Sequence, residues 1–197
     1  MQAKIVKQLQ NTRDTIEMAL SNNDLHKRVE ELVGICCNSL RNGGKIIFCG
    51  NGGSAADSQH LAAELVSRFS YDRPALHGLA LTTDTSALTA IGNDYGYLYS
   101  FSRQVEAVAN KGDVLIGFST SGRSKNIIEA FKSAKNKGVV TVGMLGIDGR
   151  DIAKVSDYQI NIPSDKTPNI QEGHITVGHI LCSLIEDEFF EKTHKPK

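Results

Sequence analysis

From residue 45 to residue 162, short apolar runs alternate with helical stretches, and that alternation narrows the fold more than any other feature of the chain. The runs lie at 45–49, 78–82, 113–118, 139–145 and 157–162, separated by helical patterns at about 54–68, 84–92, 98–109 and 124–137. Strands that are apolar on both faces must be covered on both faces, and strands linked through a helix run parallel. The expected fold class is α/β, with a five-stranded parallel sheet in a three-layer arrangement. Ligands of such sheets sit at the carboxyl ends of the strands, so the loops after residues 49 and 118 become the first places to look for function.

Helices flank this unit. Ile5, Leu9, Ile16 and Leu20 recur at near-helical spacing over 2–20, and Leu25, Val29, Leu32, Val33, Cys36 and Leu40 do so over 24–41, which predicts an N-terminal helical hairpin. The chain closes with a long helix over about 168–191, on which Ile170, Ile175, Val177, Ile180, Leu181, Leu184, Ile185 and Phe189 leave only a narrow polar stripe. A helix apolar most of the way round is buried on several sides. Gly173 and Gly178 each cost roughly 1 kcal/mol in a helix interior, which points to close helix packing at both. A helical core shared between subunits, and hence a homo-oligomer, follows as an expectation. At 197 residues the chain reads as one domain, with 1–42 as N-terminal helices, 45–165 as sheet and covering helices, and 168–191 as the last helix.

The loop Gly50-Asn51-Gly52-Gly53-Ser54 joins the first strand to a helix. Glycines let the backbone approach a ligand closely, and the helix that follows aims free N–H groups and its positive end at that ligand. The spacing fits neither the G-x-x-x-x-G-K-[ST] loop nor G-x-G-x-x-G, which disfavours a nucleotide. A second strand-loop-helix unit carries Ser119, Thr120, Ser121 and Ser124, four hydroxyls within six residues. Helix capping does not easily account for all four, so a phosphate cradle is expected, with Arg123 and Lys125 as solvated neighbours.

On a wheel of 54–68, Ala55, Leu61, Ala62, Leu65 and Val66 share one side, while Asp57, His60, Glu64 and Ser67 share the other. His60 and Glu64 stand one turn apart, a spacing that serves either an exposed ion pair or a divalent metal. His179 falls on the polar stripe of the last helix with Glu172, Ser183 and Glu186, and His174 lies nearer its apolar side, as a core or interface histidine would.

Composition removes other classes. Lys plus Arg number 22 and Asp plus Glu 22, so no basic surplus favours nucleic acid and a small-molecule partner fits better. No run approaches the roughly 18 apolar residues of a membrane span, and the polar N-terminus is unlike a signal peptide, which suggests a cytoplasmic protein. Cys36, Cys37, Cys49 and Cys182 lack CxxC spacing and read as small buried hydrophobes.

Gly50-Asn51-Gly52-Gly53-Ser54, Ser119-Thr120-Ser121 with Ser124, Gly92-Asn93-Asp94, and Ile170-Gln171-Glu172-Gly173-His174 with His179 together resemble the phosphoheptose isomerases, enzymes of the sugar isomerase (SIS) domain class. The likeness extends over nearly the whole chain. It implies a flavodoxin-like SIS sheet, a homotetramer, and conversion of sedoheptulose 7-phosphate to D-glycero-D-manno-heptose 7-phosphate, the first step toward ADP-heptose and surface polysaccharide. It also implies one zinc ion per subunit held by His60, Glu64, Gln171 and His179. By position it further implies substrate contacts from Asn51, Gly52, Gly53, Asn93, Asp94, Ser119, Thr120, Ser121 and Ser124, to which Ser54 and Arg68 are added.

Ketose-to-aldose isomerisation through a cis-enediol needs a base near carbon and a donor near oxygen. Glu64 is assigned as base and His179 as acid. Gln171 and His179 are eight residues apart, roughly 12 Å along a helix and about 80° around it, whereas metal bonds are about 2 Å. One straight helix would strain to supply both, so the site is expected to straddle a subunit boundary. The rival readings are a non-catalytic SIS adaptor, like the relative that binds the replication initiator DnaA, and a sugar-phosphate sensor. That adaptor lacks the acid and base equivalents, which Glu64 and His179 provide here.

Overall fold

The computed structural model describes residues 1–194. Helices α1 (Gln2–Leu20) and α2 (Asn23–Arg41) form the N-terminal hairpin, and the Asn22 side chain caps α2 by accepting from the Leu25 N–H. There follow β1 (Ile46–Gly50), α3 (Gly53–Val66), β2 (Gly78–Ala80), α4 (Thr85–Asp94), α5 (Ser102–Val108), β3 (Val114–Ser119), α6 (Lys125–Asn136), β4 (Val140–Leu145), α7 (Arg150–Ala153), β5 (Tyr158–Asn161) and α8 (Thr167–His194). The five strands are parallel in the order β2-β1-β3-β4-β5. From β1 the chain first moves one way to β2, then crosses back to β3 on the other side. The crevice at that reversal lies between the ends of β1 and β3, where such sheets bind ligands.

Alternate strand residues feed two cores. On one face Phe48, Ile116, Phe118 and Met144 pack with Leu32 of α2, Leu61 and Leu65 of α3, and Leu181 and Ile185 of α8. On the other, Ile47, Leu115 and Leu145 meet Phe101 just before α5, Val105 of α5, and Ile127 and Phe131 of α6. All four cysteines are free and buried. Both glycines of α8 mark close packing: a Cβ at Gly173 would strike Ile162, and one at Gly178 would lie 2.5 Å from Leu61 Cδ1. Helices α3 and α8 therefore nearly touch.

The structure departs from expectation in four places. The helix expected over 98–109 is split into a 3-10 turn at Tyr97–Tyr99 and α5, with the buried Ser100 and Phe101 between them and Ser100 Oγ accepting from Asn126 Nδ2. Helix α7 is too short to carry a readable period. Val66, placed on the apolar side of α3, is 51% exposed where that helix ends. Glu186, placed on the polar stripe of α8, is 1% exposed because Arg73 pairs with it from the chain beyond α3.

Candidate active site

The two loops meet at the crevice. Gly52, with φ +60, makes the turn from β1 into α3, a conformation that side chains bearing a Cβ rarely adopt. Ser54 is buried beneath this loop against Gly50. Asn51 and Asn126 form a reciprocal amide pair: Asn51 Nδ2 donates to Asn126 Oδ1 at 3.0 Å, and Asn126 Nδ2 donates back to Asn51 Oδ1 at 2.9 Å. Tyr97 Oη donates to the same Asn51 oxygen at 2.7 Å, and Asn126 Nδ2 also donates to Ser100 Oγ. Asn51 thus ties the β1 loop to α6 and to the 3-10 turn.

In the β3 loop, Ser119 Oγ lies 2.8 Å from Ser124 Oγ and 3.5 Å from Ser121 Oγ. Ser124 is the N-cap residue of α6 but its side chain makes no capping bond, which leaves the hydroxyl to this cluster. Three hydroxyls converging at a helix N-terminus form a donor set suited to phosphate oxygens. A crevice of about 210 Å³, lined in part by Thr120, Ser121, Arg123 and Arg150, opens on the β4 side of the same loop.

The second centre lies where α3 meets α8. His60 Nε2 is 2.9 Å from His179 Nε2 and 3.1 Å from Glu64 Oε1. The three ligand atoms all fall within 4.8 Å of one another. Tetrahedral zinc with bonds of ~2.1 Å separates its ligands by about 3.4 Å, so two imidazoles and a carboxylate at these spacings fit a zinc-type ion. Phe69 packs on the His179 ring with centroids 5.7 Å apart. One turn before His60, burial pushes the Asp57 carboxyl above its ordinary pKa, with His60 opposing, and Asp57 Oδ2 has no hydrogen-bond partner among the described residues.

The remaining expected residues are placed elsewhere. Gln171 lies over Gly53, where a Cβ would collide with its Nε2. Gly53 is seven residues before His60, about 10 Å along α3. Asn93 and Asp94 are exposed at the end of α4, with Asn93 Nδ2 donating to Asp94 Oδ1 at 2.7 Å. Arg68 is exposed just beyond α3. His174 is fully buried and its Nε2 donates to the Leu145 carbonyl at 3.1 Å, which makes it a core histidine.

Sequence reasoning missed Asn126, Tyr97, Arg73 and Glu186. Asn126 carried a faint signal, since it stands in the first turn of α6 directly after the serines. Glu186 carried a misleading one, its helical phase matching the polar stripe.

Residues 9–146 match the SIS domain family model. Phosphoheptose isomerase of Sulfurimonas denitrificans is 52% identical over 190 residues, covering 96% of this chain and 97% of the relative. That of Burkholderia pseudomallei is 54% identical over 173 residues, 88% of each. Among solved structures, phosphoheptose isomerase GmhA from Neisseria gonorrhoeae is 41% identical with a TM-score of 0.89, covering 94% of this chain and 98% of that one. With a relative above half identity along nearly its entire length, and with the SIS sheet beneath its two loops, the chain belongs to the phosphoheptose isomerase family of SIS-domain proteins.

Proposed function

We infer that this protein is an aldose–ketose isomerase converting sedoheptulose 7-phosphate to D-glycero-D-manno-heptose 7-phosphate, the first step of ADP-heptose biosynthesis. The observation that carries the reading is the convergence of His60, Glu64 and His179, within 4.8 Å, in a chain so similar to phosphoheptose isomerases. The adaptor alternative is disfavoured because both the base and the acid are present and face one another. The whole chain acts as one SIS domain.

The chemistry follows from proton bookkeeping. Glu64 takes a C1 proton from the ketose, the electron pair forms the C1–C2 double bond, and the C2 carbonyl oxygen receives a proton from His179. The cis-enediol then collapses in reverse: His179 recovers the proton from O1, the aldehyde forms at C1, and Glu64 returns its proton to C2. Acid–base groups so placed contribute on the order of 10²–10⁴ in rate. The hydroxyls of Ser119, Thr120, Ser121 and Ser124 hold the phosphate, with Gly52, Gly53 and Ser54 at the other wall. Asn51, Asn93, Asp94 and Arg68 complete the substrate contacts.

A zinc ion would be held by His60, Glu64 and His179 and would supply Lewis-acid polarisation of the substrate carbonyl, coordination by Glu64 and His179 alternating with their proton transfers. The position of Gln171 over Gly53 supports its acting on a neighbouring subunit's centre in a homotetramer. An exposed apolar face supports that assembly: Ile5, Leu9 and Leu20 of α1 are 55–68% exposed, beside Ile180 and Leu184 of α8. A groove of about 380 Å³ runs between α1, α2 and α8 and is lined mostly by apolar side chains. No helix among the described residues is long and apolar enough to cross a membrane, and we place the enzyme in the cytoplasm.

The test is to incubate the protein with sedoheptulose 7-phosphate and follow aldose formation with chelator, without it, and after zinc is restored. Absence of turnover under all three conditions refutes the isomerase; turnover unchanged after verified metal removal refutes only the metal requirement. Mixing Glu64→Gln and Gln171→Ala subunits tests the shared site, because a hybrid then joins an intact Glu64 to an intact Gln171 from its neighbour, and no recovered activity after verified exchange counts against it.

A further inference from the structure

Helix α3 ends at Val66, two residues past Glu64, and the carbonyls of its last turn need partners from outside the helix. The Arg73 guanidinium supplies them. Its Nη2 donates to the Glu64 carbonyl at 2.8 Å and its Nη1 to the Leu65 carbonyl at 2.7 Å. The third edge, Nε, donates to Glu186 Oε1 at 2.9 Å, and both side chains are 1% exposed. Glu186 stands on α8 two turns beyond His179. Its two oxygens also accept from the backbone N–H groups of Phe69 and Ser70, at 2.8 and 2.7 Å. Phe69 in turn packs on the His179 ring.

One buried ion pair therefore ties together the helix end that carries Glu64, the helix that carries His179, and the segment between them that presses on His179. We propose that Arg73 and Glu186 are positioning residues of this active site, holding the Glu64 carboxylate and the His179 imidazole at their working separation. A planar fork is needed for this, because one group must reach two carbonyls and a carboxylate at once. The inference rests on the isomerase reading for its kinetic consequence, but not for its geometric one.

The sheet provides a matched control. At the opposite, amino-terminal edge, Asp113 pairs with Lys45 at 2.7 Å and accepts from the Lys45 and Asn110 N–H groups, a buried carboxylate with a comparable set of partners but remote from the site. The experiment compares Glu186→Gln and Arg73→Lys with Asp113→Asn in the full-length protein, each checked for circular dichroism and assembly size. Turnover of sedoheptulose 7-phosphate and zinc affinity against a competing chelator are measured for each. Displacement of about 1 Å costs on the order of 10²-fold, and supporting partners of metal ligands are worth about 10–100-fold in affinity. The expected result for both site variants is kcat lowered 10- to 100-fold, KM changed less than about threefold, and zinc bound at least about 10-fold more weakly. Asp113→Asn leaves kcat unchanged. If the unmodified protein does not turn over the sugar, the isomerase reading fails and zinc affinity still decides the positioning. Should zinc not bind either, a crystal structure of a folded site variant decides it by the His60 Nε2–His179 Nε2 distance between α3 and α8, 2.9 Å here. Folded site variants with kcat, zinc affinity and that distance unchanged, or a loss of kcat equal to that of Asp113→Asn, overturn the proposal.

Discussion

His174 makes the stability of this protein fall with acid by an amount the structure predicts. The ring is 0% exposed, edge-on to Phe118, and its Nε2 bonds the Leu145 carbonyl. A carbonyl only accepts, so the hydrogen is on Nε2, and Nδ1 is a bare acceptor with no partner among the described residues. Protonating Nδ1 would put a charge where neither water nor a counter-charge meets it. Burial accordingly lowers the pKa from 6.5 to about 4, with the Leu145 bond opposing. Between those values the unfolded chain binds a proton that the folded chain refuses, so stability rises with pH across the window. The contribution is complete above pH 6.5, is lost as pH falls, and is gone below about 4. At ~1.36 kcal/mol per pH unit the gap amounts to about 3 kcal/mol.

The perturbation is His174→Gln, whose amide keeps a donor for Leu145 and does not titrate. Denaturant unfolding of both proteins at one fixed concentration, from pH 7.5 to 4, isolates the histidine, because carboxylates titrating in the same range cancel in the difference. The stability of the parent relative to the variant should fall by about 3 kcal/mol across the range. A difference constant to within about 1 kcal/mol, or a His174 ring titrating near 6.5 by NMR, refutes the reasoning.

Three further outcomes follow from the same geometry. Glu64→Gln keeps the shape of the base but not its basicity, and kcat should fall by about 10²–10⁴ in a single-turnover assay while KM stays nearly constant. Gly178→Ala sets a methyl 2.5 Å from Leu61 Cδ1 and should destabilise by about 1–3 kcal/mol in urea, with loss of activity because α3 is pushed from α8. Asn126→Ala breaks the amide pair that pins Asn51 and should raise KM several-fold while leaving zinc affinity unchanged.

Much of this was legible before any coordinates. The five strands fall within one or two residues of their apolar runs, because a strand buried on both faces writes its burial directly into sequence. Both glycine and serine loops lie at carboxyl ends because each follows a strand. The cysteines and His174 went inside as their apolar neighbours implied. Failures came where a contact spans distance in the chain. Helical phase put Glu186 beside His179 on a polar stripe, yet Arg73, 113 positions earlier, turned that residue inward. The loop pattern around Asn51 carried no sign of its long-range partners, and the structure shows its amide bonded to Asn126 and Tyr97.

The sequence by itself determined the parallel α/β class, the two ligand loops and the helix face that carries His60 and Glu64, since these depend on periodicities and residue types read over a dozen positions. Only the tertiary structure decided that His179 meets that face while Gln171, on the same helix, lies over Gly53. Spacing along a helix fixes which residues share a side; what that side packs against is set by how glycines, a buried ion pair and the twist of the sheet bring distant segments together.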